Sequence, residues 1–82
     1  AAQARRCLAI ILKAIEELGG SAEDVVRTRM FIIDPADADP VGAVHGEIFR
    51  DVRPVATMVV VSALLRDEWR VEIEAEALLS HA

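Results

Sequence analysis

The sequence predicts an α+β fold, in which two helices pack on one face of a mixed β-sheet. Helical spacing of apolar residues near the start, a segment rich in β-branched residues after it, and strict alternation near the end support this fold. The predicted order of elements is helix, strand, helix, strand, strand. We find no internal repeat and no low-complexity linker, so residues 1–82 are predicted to form a single domain.

The first helix is predicted over residues 4–18. Its apolar residues recur every three or four positions and form one face, which consists of Leu8, Ile11, Leu12, Ile15 and Leu18. Gly19 and Gly20 follow at once, and glycine readily adopts the left-handed conformation that ends a helix. This helix is therefore expected to pack through one face and to stop at the glycine pair.

The first strand is predicted over residues 25–33, after a short turn in which Ser21 and Asp24 cap each other. The segment VVRTRMFII is rich in β-branched residues, which strands favour. Arg27 and Arg29 are two residues apart and share a face. That face of the sheet is therefore predicted to meet water at its start.

The second helix is predicted between Asp37, which serves as its N-cap, and a C-terminal end near Arg50. Its apolar face consists of Val41, Val44, Ile48 and Phe49. Residues 55–65 then form an almost continuous apolar run, which is typical of a central strand covered on both sides. Because a helix separates this run from the first strand, the two strands are predicted to pair in parallel.

The last strand has the most regular pattern in the chain. From residue 71 to residue 79 apolar residues alternate with Glu72, Glu74 and Glu76. A shift of one residue would turn every acid into the core, so its register is strongly specified. We predict an antiparallel pair with the preceding strand, through a polar turn at residues 66–68.

Composition restricts the classes of function. Hydrophobic residues make up 54% of the chain, an excess that is mostly aliphatic and favours an oligomer. The net charge is −5 and no basic stripe is visible, which argues against nucleic-acid binding. No apolar run reaches the roughly 20 residues of a membrane span. A lone cysteine, Cys7, points to a reducing cytoplasmic setting, and neither a metal nor a cofactor is expected.

Several ordered motifs resemble the Rid family, also called the YjgF or reactive-intermediate-deaminase family and named endoribonuclease L-PSP in some members. They are LGGSAEDVV at residues 18–26, FIID at 31–34, VGAVHGEIF at 41–49, Arg53-Pro54, and VEIEA at 71–75. The resemblance implies a chorismate-mutase-like fold and a homotrimer with ligand clefts between subunits. It also implies a fragment, because family members carry a further N-terminal strand pair that forms part of the cleft.

The resemblance implies four ligand-binding positions, His45, Ala56, Thr57 and Glu72. Deaminating members read Pro-Ala-Arg-Ser where this chain has Pro54 followed by Val-Ala-Thr, so Ala56 replaces an arginine that grips a substrate carboxylate. Alanine has neither charge nor donor and cannot form that clamp. His45 takes the place of a cleft tyrosine.

Glu72 matches a family acid that positions the hydrolytic water, so it is the candidate catalytic residue. The alternative for Glu72 is a solvated strand face, and that for His45 is a partly exposed helix residue without a task.

Three functions follow from the resemblance. The first is a small-molecule-binding homotrimer whose imine or enamine deaminase activity is in doubt because of Ala56. The second is a hydrolase that acts on a different small imine or enamine, with Glu72 positioning water. The third is a ribonuclease or translation inhibitor, against which the acidic charge counts.

Overall fold

The computed structural model describes residues 1–79 and contains two helices, three strands and two short 3₁₀ turns. In chain order these are helix α1 (Ala2–Glu17), a turn at Ala22–Asp24, strand β1 (Val25–Ile32), a turn at Pro35–Asp37, helix α2 (Ala38–Phe49), strand β2 (Val55–Val60) and strand β3 (Val71–Ala77). Both helices pack on one face of the sheet, which confirms the predicted fold class.

Helix α1 ends in a Schellman motif at the predicted glycine pair. The Gly19 amide donates to the Glu16 carbonyl at 3.0 Å, and the Gly20 amide donates to the Ile15 carbonyl at 2.9 Å. Gly19 has φ of 95°, a conformation that only glycine adopts at little cost. The capping turn that follows also forms as predicted, since the Ser21 amide donates to Asp24 Oδ2 at 2.8 Å.

The sheet has the order β2-β1-β3, so β1 is the central strand. β2 runs parallel to β1, with Thr28 opposite Ala56, which confirms the predicted parallel pair. β3 runs antiparallel to β1, with Phe31 opposite Glu72.

Two predictions about the sheet are wrong. β2 does not pair with β3, because the two strands lie at opposite edges and residues 61–70 cross between them. β2 is also neither central nor buried. It ends at Val60 rather than at residue 65, and Val55 and Val60 are 69% and 53% exposed. An apolar run shows that a strand needs cover on both faces, but it does not say that the same chain provides it.

The core lies between the helices and the inner face of the sheet. Its most deeply buried members come from all these layers and include Leu8, Thr28, Ile32, Val44 and Phe49. On β3 the alternation holds as predicted, with Val71 buried and Glu72, Glu74 and Glu76 exposed. The sheet therefore has one face under the helices and one face, here called the open face, that no element covers within residues 1–79.

Candidate functional site

The structure distributes the four predicted site residues over two faces of the sheet. Paired residues on neighbouring strands point to the same side. Ala56 is opposite Thr28 and therefore lies on the helix-covered side, together with His45 of α2. Thr57 is opposite Arg29 and Glu72 is opposite Phe31, so both belong to the open face. Within one chain, His45 and Ala56 are close together, while Thr57 and Glu72 lie apart from them.

His45 is anchored by Thr28. Thr28 Oγ1 lies 2.8 Å from His45 Nε2, and Thr28 is completely buried on the inner face of β1. A buried hydroxyl without a partner costs free energy, so this contact stabilises both groups. On the other side, the Phe49 ring lies 4.8 Å from the His45 ring, centroid to centroid, and is tilted by 47°.

The surroundings of His45 favour its neutral form. Burial among Thr28 and apolar neighbours lowers the pKa of the imidazole below its ordinary value, because the charged ring loses hydration. A neutral imidazole has one nitrogen that donates and one that accepts. The ring is thus suited to a hydrogen bond with an uncharged group rather than to holding an anion.

Ala56 belongs to the edge strand β2 and lies on the same side of the sheet as Thr28 and His45. Because it is the register partner of Thr28, its methyl group lies beside the hydroxyl that holds His45. Ala56 itself is exposed. On α2, Gly42 lies one turn before His45, and a side chain built at Gly42 would meet nothing within 4 Å. We call the exposed surface of α2 and β2 around Gly42, His45 and Ala56 the α2–β2 groove.

The open face carries ion pairs that join β1 to β3. Arg29 pairs with Glu74, and Arg27 Nη1 lies 3.7 Å from Glu76 Oε1. These arginines offset the charges of the acidic strand face. Arg70 binds Asp37 at 2.9 Å. The side chain of Asp37 therefore holds Arg70 and makes no capping hydrogen bond to α2.

Glu72 lies at the outer edge of β3, beside an open cavity of about 650 Å³. α1 contributes Cys7, Ile10 and Ile11 to its wall, and Trp69 also lines it. Burial, with a smaller contribution from the nearby Glu72 carboxylate, raises the pKa of the Cys7 thiol. The raised pKa favours the thiol form of Cys7, which is a poorer nucleophile than the thiolate.

Sequence reasoning did not identify Thr28 as part of a site. The available signal was a single hydroxyl at an inward position between Val25 and Met30, on a strand whose other inward residues are apolar. A polar group there needs a partner from a packed element. Only the packing of α2 against β1 shows that this partner is His45.

Residues 1–79 contain no group of three or more His, Cys, Asp or Glu side chains placed to hold a metal ion. Neither helix is long and apolar enough to cross a bilayer.

Comparisons with known proteins connect this geometry to a family. The model of the family described as Endoribonuclease L-PSP matches residues 1–79. An uncharacterized protein of Streptomyces coelicolor, SCO2049, is 41% identical over 66 residues, which are 80% of this chain and 49% of that protein. The chain thus spans about half the length of the curated relatives it matches.

Comparison with solved structures leads to the same family. Rv2704 of Mycobacterium tuberculosis, a member of the YjgF/YER057c/UK114 family, superposes with a TM-score of 0.90 at 41% identity, covering 93% of this chain and 64% of Rv2704. Escherichia coli TdcF with bound serine gives a TM-score of 0.87 at 30% identity, covering 95% of this chain and 63% of TdcF. Together with the family-model match, these likenesses show that the chain belongs to the endoribonuclease L-PSP family, which is also known as the YjgF/UK114 or Rid family.

Proposed function

We propose that this chain forms part of a Rid-type homotrimer that binds a small molecule in clefts between its subunits, without a carboxylate clamp at position 56. The observation that carries the proposal is the exposure of β2, whose Val55, Val59 and Val60 are 69%, 41% and 53% exposed. An apolar edge strand of this kind calls for cover that residues 1–79 do not provide, and we assign that cover to a neighbouring subunit. The α2–β2 groove lies beside that strand, so a covering subunit would close it.

TdcF, which has been solved with bound serine, supports a ligand of about that size for this chain. In this chain Ala56 cannot grip the carboxylate of an amino acid or an imino acid. We therefore propose that 2-iminopropanoate and related anionic imines are poor substrates, and that an uncharged small molecule is preferred.

The test uses the protein at its natural length. Light scattering coupled to gel filtration is expected to give three times the protomer mass. Val59→Lys, which places a charge on the apolar edge strand, is expected to dissociate the assembly, whereas Ala9→Lys on the exposed side of α1 leaves it intact. A monomeric wild-type protein would overturn the trimer.

The second candidate is hydrolysis of a different small imine or enamine, with Glu72 positioning water. Its support is the cavity of about 650 Å³ beside Glu72. The measurement is ammonia release from freshly generated imines, with 2-iminopropanoate as the anionic case. Activity that Glu72→Gln abolishes and Glu74→Gln preserves would establish catalysis, because both variants remove one charge from the same strand face.

RNA cleavage receives less support. The net charge is −5, and four of the arginines are engaged with carboxylates on this chain: Arg5 with Glu47, Arg27 with Glu76, Arg29 with Glu74, and Arg70 with Asp37. Binding of phosphates would have to displace those pairs.

A further inference from the structure

We propose that Thr28 is a positioning residue that fixes His45 as a hydrogen-bond donor through Nδ1, and that the α2–β2 groove consequently selects an uncharged acceptor such as a carbonyl oxygen or an imine nitrogen. This inference rests on the proposed small-molecule function and adds to it the class of ligand and the atom that recognises it. Its starting point is the contact of 2.8 Å between Thr28 Oγ1 and His45 Nε2.

The direction of that hydrogen bond follows from the hydroxyl. Thr28 is completely buried, and His45 is its one side-chain hydrogen-bond partner among residues 1–79. If His45 donated through Nε2, the hydroxyl proton of Thr28 would be buried without an acceptor. An orphaned buried donor is costly, whereas a hydroxyl oxygen with a spare lone pair is common. The Thr28 hydroxyl therefore donates to Nε2, and the proton of the neutral ring sits on Nδ1.

The Nδ1 atom is available to a ligand. It makes no hydrogen bond within residues 1–79, and no buried side-chain nitrogen or oxygen in that part of the chain lacks a partner. Nδ1 must therefore reach the surface. The tilted contact with Phe49 at 4.8 Å restricts rotation of the ring, so the donor keeps one direction.

The two residues that flank His45 on this surface are small and uncharged. Next to His45 on α2, Gly42 leaves open space, and across the groove Ala56 contributes only a methyl group. The lowered pKa of His45 agrees with a ring that stays neutral at neutral pH. A neutral donor with alanine at position 56 favours a carbonyl or imine over a carboxylate, because neither group offsets the cost of desolvating an anion.

The first measurement is the tautomer of His45 in the unliganded protein, from long-range ¹H–¹⁵N correlation spectra. The chain has two histidines, so a His81→Gln background leaves one signal to assign. We expect the Nδ1-protonated form. Thr28→Val removes the hydroxyl at nearly constant shape and is expected to mix or reverse the tautomers, and Thr28→Ser is expected to restore the Nδ1-protonated form. Thr57→Val on the open face should leave it unchanged.

The second measurement is binding of pyruvamide and pyruvate, a neutral and an anionic carbonyl compound of similar size, followed by chemical shifts and titration. Pyruvamide is expected to bind more tightly than pyruvate and to shift the His45 signals. His45→Phe should weaken pyruvamide binding about tenfold, the effect of losing one hydrogen bond.

A predominantly Nε2-protonated ring, tighter binding of pyruvate, or pyruvamide binding that is absent or insensitive to His45→Phe would each overturn the inference. Binding of pyruvamide elsewhere would leave the proposed small-molecule function standing. The tautomer itself is measured without ligand, so it is independent of that function.

Discussion

Strands β1 and β2 are parallel neighbours in opposite environments. β1 reads VVRTRMFI and buries four of its eight residues, whereas β2 reads VATMVV and has no buried residue. β2 contains no charged residue, yet its Val55 and Val60 are more than half exposed. The comparison teaches that apolar composition determines that a segment forms a strand, while its neighbours determine whether it is covered. An uncovered apolar strand then marks a surface that a further element is expected to cover.

The difference in burial between β1 and β2 is tested most directly by shortening two side chains that are register partners in the β1–β2 pair. Ile32 is completely buried and its register partner Val60 is 53% exposed. Ile32→Ala is expected to lower the free energy of unfolding by about 2–5 kcal/mol, because it removes buried methyl groups and leaves a cavity. Urea denaturation measures this loss.

Val60→Ala is the matched control for that prediction. In a dissociated protomer it is expected to cost less than about 0.5 kcal/mol, as for exposed positions in general. Equal losses for Ile32→Ala and Val60→Ala in a dissociated protomer would show that β2 is packed as closely as β1.

Replacing threonine by valine on each strand tests whether the threonine hydroxyl stabilises the fold on β1 and not on β2. Thr28→Val is expected to destabilise the fold by about 1–2 kcal/mol, because the hydrogen bond to His45 is lost and a polar ring nitrogen loses its partner. Thr57→Val, on the exposed strand, is expected to have almost no effect on the protomer. Denaturation midpoints of both variants at neutral pH distinguish the positions, and a similar loss in both would contradict the buried contact.

The protonation of His45 is expected to change the free energy of unfolding by a smaller amount, since the ring is only half-buried. Burial lowers the folded-state pKa, so the unfolded chain takes up the proton first as the pH falls. The stability contributed by neutral His45 is complete above about pH 6.5, the ordinary value, and is lost as the pH falls through the folded-state pKa. Midpoints measured in urea between pH 5 and 8 in a His81→Gln background should show this loss.

In the His45→Phe variant, the loss of stability between pH 8 and pH 5 should disappear. Glu47, whose pKa the neighbouring Arg5 lowers, gives its own loss only below about its ordinary value of 4.5 and does not interfere. An unchanged pH profile in His45→Phe would show that another group is responsible.

The smallest effect on the free energy of unfolding is expected from the ion pairs of the open face. The Arg29–Glu74 pair joins two side chains that are 42% and 50% exposed, so a double-mutant cycle with alanine is expected to give about 0.2–1 kcal/mol in the dissociated protomer. High salt should reduce this coupling. A much larger coupling that resists salt would indicate that the open face is covered in solution.

Much of the fold follows from the sequence. The spacing of Leu8 and Ile15 gives α1, the Gly19–Gly20 pair ends it through a positive φ at Gly19, and alternation around Glu72 and Glu74 specifies β3. These are local properties, because backbone preference and side-chain period act within one element. The family resemblance was also carried by such local motifs, and the family-model match over residues 1–79 confirms it.

Tertiary structure decided what local properties cannot. The sequence alone does not place β1 between β2 and β3. Which strands pair depends on the path that residues 61–70 take across the sheet. It named His45 and Ala56 as site residues without showing that Thr28 joins them, since a buried hydroxyl finds its partner only when α2 packs on β1. Burial and hydrogen-bond partnership are properties of neighbours in space. For this reason the chain's elements were predictable one by one, and the α2–β2 groove was not.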